Sequence, residues 1–265
     1  MKKLQYFLLI GAVLFAIGCR TNDIDFTGMN ARERTFNERQ SKELVAYMSL
    51  ETMFPDTQVR ALAKAAGKGR VNQIDDLVNQ GVSVNSRGAK NATPLFWAMR
   101  NGSVVGFQKL LELGADPNVV FDDGGSVIHW AVQHEDSSFL RLALEHDGNP
   151  NLVAGEKTPL FDTIGFKGDS DILVLKILLT YGADPNMKEA RGNTPAMIAA
   201  GVGRFDIVYV LLNSNADYNL KNDAGYSLLD RVAAKRNAFI PGSEQEKSLE
   251  QVIDWLSRKG VTIPD

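Results

Sequence analysis

Cysteine and histidine are scarce in this chain: Cys19 is the only cysteine in 265 residues, and there are three histidines. A single cysteine excludes an internal disulfide framework and a cysteine-based zinc cluster. His129, His134 and His146 do not have the i, i+4 spacing that places two metal ligands on one helical face. The sequence also lacks a P-loop and a Rossmann glycine fingerprint. We therefore predict no metal, no cofactor and no catalytic residues.

The chain also lacks an excess of positive charge. It has 29 Lys and Arg against 32 Asp and Glu, for a formal net charge of −3. Proteins that bind nucleic acid usually present a basic face. We predict no nucleic-acid partner. The hydrophobic content of 44% and charged content of 23% are ordinary for a folded soluble protein.

A long apolar run is missing as well. The N-terminal run, residues 4–17, is broken only by Gln5 and is shorter than the ~20 residues that a membrane-spanning helix needs. Lys2 and Lys3 precede the run, and the small residue Gly18 ends it. A positive start, an apolar middle and small residues before a cleavage point are typical of a signal peptide, which we assign to residues 1–18.

Cys19 follows that run directly, in the stretch AIGCR. Taken alone, it could be a core residue, a reactive thiol, a metal ligand, half of an intermolecular disulfide or a point of lipid attachment. AIGC resembles the lipobox of bacterial lipoproteins, although Ala16 stands where Leu is commonest. The resemblance implies cleavage after Gly18, a lipid on Cys19 and, because Arg20 follows instead of Asp, an outer-membrane anchor facing the periplasm. The alternative is an ordinary cleaved signal with an incidental cysteine.

Two segments separate the cysteine from the rest of the chain. Residues 19–37 are polar with almost no apolar periodicity, which predicts a flexible tether. Residues 38–59 are predicted to form an N-terminal capping segment, in which the apolar residues between positions 38 and 54 have the spacing of a helix. Pro55 should end that helix, and Asp56 or Thr57 should cap the next one.

The remaining sequence repeats itself. One recurring stretch begins TPLF, SVIH, TPLF, TPAM and SLLD, and a second ends in Asn. Both recur about every 33 residues, which is the mark of a repeat architecture. The first stretch starts at Thr93, Ser126, Thr158, Thr194 and Ser227, and the second ends at Asn85, Asn118, Asn151, Asn186 and Asn219.

These residues resemble the ankyrin repeat family over residues 60–265, in about six units including the caps. The resemblance implies an all-α solenoid of paired antiparallel helices joined by short hairpin loops. The Thr and Ser residues that start the first stretch fit helix N-caps, and the prolines after three of them fit position N1. Gly114, Gly148 and Gly182 are predicted to end helices in the left-handed conformation. His129 is assigned a structural role.

Two departures from the regular repeat are expected to alter it locally. The unit between Thr158 and Asn186 carries about three extra residues, which should bulge the turn between its two helices. Near the end of the chain, Ser243 and Glu246 form a capping-box pattern in which each side chain satisfies the other residue's backbone donor.

The resemblance also implies where a partner would bind. In ankyrin arrays the hairpin tips and the ends of the inner helices form an extended contact surface. Trp97 and Trp130 occupy the same position in consecutive repeats, so they are either binding hot spots or inter-repeat core. His134 is expected to be exposed. The candidate partner-binding residues are Lys90, Trp97, Arg100, Asn101, Asp122, Asp123, Trp130, Gln133, His134, Phe166, Lys167 and Arg191.

A membrane tether, a large contact surface and the lack of catalytic chemistry together favour a protein-binding role. We expect an inhibitor or immunity-type protein that binds a periplasmic toxin or lipase, such as a phospholipase effector. A structural scaffold or adaptor of an envelope complex is the alternative, and an enzyme is the third class considered. Fold alone does not choose among partners.

Overall fold

The structure, a computed structural model, describes residues 45–165 and 169–264, with the backbone alone at residues 169 and 170. The chain divides into two compact units between Asn149 and Pro150. Each unit is built from helix pairs, so the predicted all-α ankyrin-repeat fold is confirmed. The predicted signal peptide, the tether and Cys19 lie outside the described residues.

The N-terminal unit has three helix pairs, α2–α3, α4–α5 and α6–α7, preceded by the one-turn helix α1. The first helix of each pair is called the inner helix here and the second the outer helix. Inner helices pack in a row, α2 against α4 and α4 against α6, and outer helices do the same. The helices are α1 Leu50–Met53, α2 Thr57–Gly67, α3 Val71–Asn79, α4 Pro94–Arg100, α5 Val104–Glu112, α6 Val127–Gln133 and α7 Ser138–Glu145, with 3₁₀ turns at Val45–Tyr47 and Ala89–Asn91.

The C-terminal unit continues the same pattern within its own bounds. Its inner helices are α8, α10 and α12, and its outer helices are α9, α11 and α13. α10 packs against both α8 and α12, and α11 packs against both α9 and α13. The helices are α8 Pro159–Asp162, α9 Asp169–Thr180, α10 Pro195–Gly201, α11 Phe205–Asn213, α12 Leu228–Ala233 and α13 Glu244–Arg258.

Four of the five predicted N-caps have the expected hydrogen bond, in which the side-chain hydroxyl accepts from the amide three residues later. The prediction is wrong at Thr158, whose buried hydroxyl has no hydrogen-bond partner. The amide of Phe161 donates instead to the backbone carbonyl of Thr158, at 3.1 Å. This 3₁₀-type bond uses the Phe161 amide, which would otherwise donate to the Thr158 hydroxyl, because α8 is only one turn long.

Helix ends also follow the prediction with one exception. Gly114 and Gly182 adopt left-handed φ angles of 85° and 86°, as expected. Gly148 does not, because Asp147 takes that conformation with φ 63°. Gly148 is needed for a different reason: a Cβ there would lie 2.5 Å from the carbonyl oxygen of Ala143 in α7. The prediction therefore placed the left-handed residue one position too late.

The boundary of the repeat region is also shifted. Helix α2 begins at Thr57, and the carboxylate of Asp56 accepts from the amides of Gln58 and Val59, both at 2.9 Å. The predicted boundary between residues 59 and 60 therefore falls inside α2. Within residues 45–54, the described part of the predicted capping helix before Pro55, only α1 is α-helical, and it ends before Pro55 as expected.

The extra residues of the irregular repeat lie where they were expected, between its two helices. Six residues separate α8 from α9, whereas three separate α4 from α5. The capping box predicted at α13 forms only in part, because the Glu246 carboxylate accepts from the amide of Gly242 rather than that of Ser243. A complete capping box occurs instead at Ser227 and Asp230.

Inside each unit, successive repeats are linked by an asparagine that lies in the loop before a hairpin. Its amide nitrogen donates to a carbonyl in the next repeat, and its amide oxygen accepts an N–H two residues beyond that carbonyl. The four pairs of bonds have lengths of 2.7–3.2 Å. The asparagines are Asn85 and Asn118 in the N-terminal unit, and Asn151 and Asn186 in the C-terminal unit.

Candidate functional site

Two of the predicted partner-binding residues, Phe166 and Lys167, lie outside the described residues. The other ten divide unevenly between the units. Arg191 is the single candidate in the described part of the C-terminal unit, and it is exposed in a hairpin. The remaining nine lie on the inner-helix ends and hairpins of the N-terminal unit, where the structure brings several of them together.

Trp97, Arg100 and Asn101 form a cluster at the end of α4. The Arg100 guanidinium carbon lies 4.9 Å from the centroid of the half-buried Trp97 ring, within cation–π range. The side-chain amide of Asn101 donates to the carbonyl of Trp97 at 2.8 Å. A Cβ at Gly67 in the neighbouring repeat would lie 2.8 Å from the indole nitrogen, so glycine leaves the space that this ring occupies. Trp97 therefore packs against helix α2 of the neighbouring repeat.

A segment of the chain itself lies across this cluster. We call residues 45–48 the strap. The amide of Val45 donates to the Asp123 carboxylate at 2.8 Å, although the two residues are 78 positions apart. Arg100 donates through Nη1 to the carbonyl of Met48. The strap thus joins the Asp123 hairpin to the end of α4.

Helix α1 continues the contact beyond the strap. The Phe54 ring meets Trp97 edge-on, with the centroids 6.4 Å apart and the planes at 83°. A Cβ at Gly88 would lie only 2.1 Å from the carbonyl oxygen of Met53, so the hairpin that carries Gly88 approaches the α1 backbone closely. Trp97, Arg100 and Asp123 are separate candidates in the sequence, and all three contact residues 45–54 in the structure.

The electrostatics of this region follow from its burial. Burial lowers the pKa of Arg100 from its usual range, and the interaction with Tyr47 partly offsets that change. Burial also raises the pKa of Tyr47, with Arg100 acting in the opposite direction. At neutral pH the phenol is therefore uncharged, and the guanidinium keeps its charge. The positive side chain faces carbonyl and aromatic groups of the strap.

The hairpins next to this cluster are connected to one another. Asp123 accepts the Gly125 amide at 3.2 Å through its other carboxylate oxygen. Exposed Asp122 donates its amide to the carbonyl of Lys90 at 3.1 Å. Lys90 is half-buried and has a left-handed φ of 53°. Lys90 and Asp122 therefore contact each other through the backbone, which leaves the Asp122 carboxylate at the surface.

The third inner helix, α6, carries Trp130 and Gln133, and His134 follows its last residue. Trp130 is half-buried against Phe96, with centroids 6.0 Å apart. Both tryptophans therefore combine packing with partial exposure. The expectation that His134 is exposed is wrong, because its half-buried ring lies 4.5 Å from that of Phe139. The backbone becomes extended at His134, where α6 ends, and this turns the ring toward the following outer helix.

His129 has the predicted structural role. It is 6% exposed, and its Nδ1 lies 2.7 Å from the hydroxyl of Ser126, the N-cap of its helix. Within residues 45–165 and 169–264, no group of three or more His, Cys, Asp and Glu residues could hold a metal ion. None of the helices described in this structure has both the length and the apolar character required to cross a bilayer.

The C-terminal unit contains a charged cluster, largely withdrawn from water, that is not among the residues predicted from the sequence. Arg204 pairs with Asp171 and Asp206, at 2.8 and 2.7 Å, and also donates to the carbonyl of Gly165. Hydrogen bonds to Asp206, and then to Asp171, raise the pKa of Arg204 against the effect of burial. No sequence pattern predicts this cluster, because Asp171 lies next to the irregular insertion.

The same unit also exposes apolar side chains that the sequence analysis did not select. Val202 is 48% exposed at the end of α10, and Ile240 is 78% exposed in the loop after α12. Phe239 connects the two regions: its ring packs edge-on against Phe205 at 5.9 Å, and it lies 3.2 Å from the position of a Cβ on Gly203. An apolar residue at the Val202 position, where three other repeats carry Asn101, His134 and Lys235, was the available signal.

Family models agree with this architecture. A model described as "Ankyrin repeats (3 copies)" matches residues 128–222 and 166–239, and a model described as "Ankyrin repeat" matches residues 90–121. Together the matched ranges cover more than half of the chain.

Curated relatives align with part of their own length. Protein PhlB of Serratia liquefaciens is 33% identical over 147 residues, which cover 54% of this chain and 63% of that protein. A putative palmitoyltransferase ZDHHC13 of Danio rerio is 27% identical over 199 residues, covering 71% of this chain and 30% of that protein. The chain therefore spans less than two thirds of the length of these relatives.

Solved structures share the fold. The ankyrin repeat protein EF0377 has a TM-score of 0.59 and 24% identity, covering 73% of this chain and 98% of that one. A structure of the predatory endopeptidase Bd0816 of Bdellovibrio bacteriovorus in complex with immunity protein Bd3460 has a TM-score of 0.55 and 21% identity, covering 72% and 97%. At these identities the similarity concerns the fold.

Proposed function

This chain belongs to the ankyrin repeat family, and we propose that it uses this protein-interaction scaffold to bind and inhibit a toxin or lipase in a bacterial envelope. In this proposal Cys19 carries the lipid that anchors the protein to the outer membrane, with the repeats in the periplasm. The described residues supply the binding surface, and residues 19–37 supply the tether.

The observation that carries the proposal is the polypeptide already bound on the inner-helix face of the N-terminal unit. Asp123 and Arg100 hold a backbone amide and a backbone carbonyl of the strap. The same face therefore has the chemistry needed to bind another protein's chain. Tryptophan and arginine, which dominate binding hot spots, lie together there as Trp97 and Arg100.

Two further considerations support inhibition rather than another binding role. One neighbour in fold is a structure of an endopeptidase in complex with an immunity protein. The second is the N-terminal sequence, in which AIGC follows a signal-like apolar run. A binding protein tethered in the envelope would be placed to capture an enzyme delivered there.

Site-specific photocrosslinking in intact cells tests this proposal. A photoreactive residue at Asn101 or at Asp122, both exposed on the N-terminal unit, should capture one envelope enzyme or toxin. The same residue at Asp76, exposed on outer helix α3, is the matched control and should capture far less. Capture of no enzyme or toxin, or equal capture from Asp76, would contradict the proposal. Recovery of envelope assembly proteins instead would support the scaffold alternative.

A further inference from the structure

We propose that the strap is an internal ligand of the N-terminal unit, and that a partner binds this face by displacing the strap with a short apolar segment of its own. This inference rests on the proposed function, because a displaceable occupant implies an external protein that competes for the same groups. It adds the mode of binding and the kind of segment that binds.

The polar contacts of the strap use atoms that every peptide has. Asp123 accepts the backbone N–H of Val45, and Arg100 donates to the backbone carbonyl of Met48. Neither bond depends on a side chain of the strap. A short segment from another protein that adopts the same 3₁₀ turn would present the same donor and acceptor, so these two residues could bind it in the same way.

The apolar contacts define the chemistry of the displacing segment. Val45 is fully buried, and Met48 is 7% exposed. Releasing them exposes apolar surface to water, which costs free energy unless similar surface takes its place. The competing segment must therefore carry apolar side chains at matching positions. Because Arg100 and Asp123 carry opposite charges, they do not favour a competing segment with a net charge of either sign.

The strap and helix α1 differ in how they are held. Phe54, at the end of α1, is tied to the first repeat, because its carbonyl accepts from Nε of Arg60 at 2.8 Å. Its neighbour Met53 is fully buried. The strap is held instead by residues from the second repeat and the following hairpin, 52 and 78 positions away. Release can therefore begin at Ser49, the N-cap of α1, and leave α1 in place.

Proline at position 45 provides a selective test, because proline lacks the N–H that Asp123 accepts. Val45→Ala keeps that N–H and shortens the side chain, so it is the matched control. The probe is a fluorescently labelled, N-acetylated peptide of residues 42–49, titrated against each full-length variant and followed by anisotropy. We expect Val45→Pro to bind the peptide at least about tenfold more tightly than Val45→Ala, since a tenfold change corresponds to ~1.4 kcal/mol.

A second substitution in the released chain identifies the groups that bind the peptide. In the Val45→Pro background, Arg100→Ala and Asp123→Ala should each weaken peptide binding about tenfold, whereas Asp76→Ala on outer helix α3 should not. Equal binding of the peptide by Val45→Pro and Val45→Ala, or no binding by either, would refute an exchangeable strap.

Hydrogen exchange of the unmodified full-length chain decides the matter if Val45→Pro does not fold. The amides of residues 46–48 should exchange through local opening, faster than the amides of α4 in the same molecule. Protection of the strap equal to that of α4 would mean that it opens only when the unit unfolds, and would overturn the inference. Neither measurement uses the partner. A failed crosslinking experiment with successful peptide exchange would therefore reject the proposed envelope function alone.

Discussion

Arg204 Nη1 lies 2.8 Å from Asp171 Oδ2, and this pair joins the start of α11 to the start of α9 in the preceding repeat. Both side chains are largely withdrawn from water, at 13% and 6% exposure. Arg204 also bonds Asp206 and the carbonyl of Gly165, at the edge of the irregular insertion. The cluster therefore stabilises the repeat whose inner helix, α8, is the shortest of those described and whose Thr158 hydroxyl is buried without a hydrogen-bond partner.

Removing the arginine should destabilise the C-terminal unit. Arg204→Met keeps much of the side-chain length but leaves Asp171 buried without its cation, which we expect to lower the free energy of unfolding by about 2–4 kcal/mol. Urea unfolding followed by circular dichroism measures the change. Lys176→Met, at an exposed site on α9, is the control and should stay within about 0.5 kcal/mol of the parent protein. Equal effects of the two substitutions would mean that the cluster contributes little.

Adjacent substitutions at the end of α7 should have very different effects. Gly148→Ala places a Cβ 2.5 Å from the Ala143 carbonyl and 2.9 Å from Ile128 Cδ1. Backbone or core must move, at a cost of about 1–3 kcal/mol. Asp147→Gly removes the strain of a left-handed φ at a non-glycine residue, which stabilises the folded state. Glycine also has more conformational freedom in the unfolded chain, which opposes that gain, so the free energy of unfolding should change by less than about 1 kcal/mol. Thermal unfolding of both variants checks this; a larger loss from Asp147→Gly would contradict the assignment.

The capping box at α12 should make stability depend on pH. Hydrogen bonds from the backbone and hydroxyl of Ser227 hold the pKa of Asp230 below its ordinary value of 3.8. A carboxylate with a lowered folded-state pKa stabilises the protein above pH 3.8, and this contribution is lost as the pH falls through the folded value. Asp230→Ala should therefore cost about 1 kcal/mol at neutral pH. The difference from the parent should shrink below pH 3.8.

Denaturant unfolding at a series of pH values measures that dependence. Ser227→Ala removes the hydroxyl bond to Asp230 but keeps the backbone N–H of residue 227, which also donates to that carboxylate. Adding Asp230→Ala to that background should therefore have a smaller effect that still depends on pH. A constant difference between Asp230→Ala and its parent throughout the acid range would show that the box does not hold the carboxylate in its charged form.

The proposed lipid anchor gives a prediction about location rather than folding. Cys19→Ala should move the protein from the membrane to the soluble fraction and abolish incorporation of labelled palmitate. Its unfolding free energy should stay within about 0.5 kcal/mol of the parent. Arg20→Asp is the control: it keeps the cysteine and should keep the protein on a membrane, shifted to the inner one. Membrane retention of Cys19→Ala, or a large loss of stability, would contradict the anchor.

Local features of the fold could be predicted because they depend on neighbours in sequence. Thr93 and Thr194 precede prolines and cap their helices through amides three residues away. The bond from Val45 to Asp123 spans 78 positions and involves a backbone donor, so no side-chain pattern indicates it. His134 was assigned by its place in the repeat. The ring of Phe139, in the following helix, decides its exposure.

The asparagines that link successive repeats give the chain a direction. Each one, such as Asn85 or Asn118, uses both ends of its amide on backbone groups about 30 residues later in sequence. A repeat is therefore completed by the asparagine of the repeat before it, and it in turn supplies the amide for the next. In each unit, a chain that leaves the ribosome N-terminus first presents that docking point before the segment that needs it. If the chain emerged C-terminus first, the backbone groups of each repeat would appear before the asparagine that binds them.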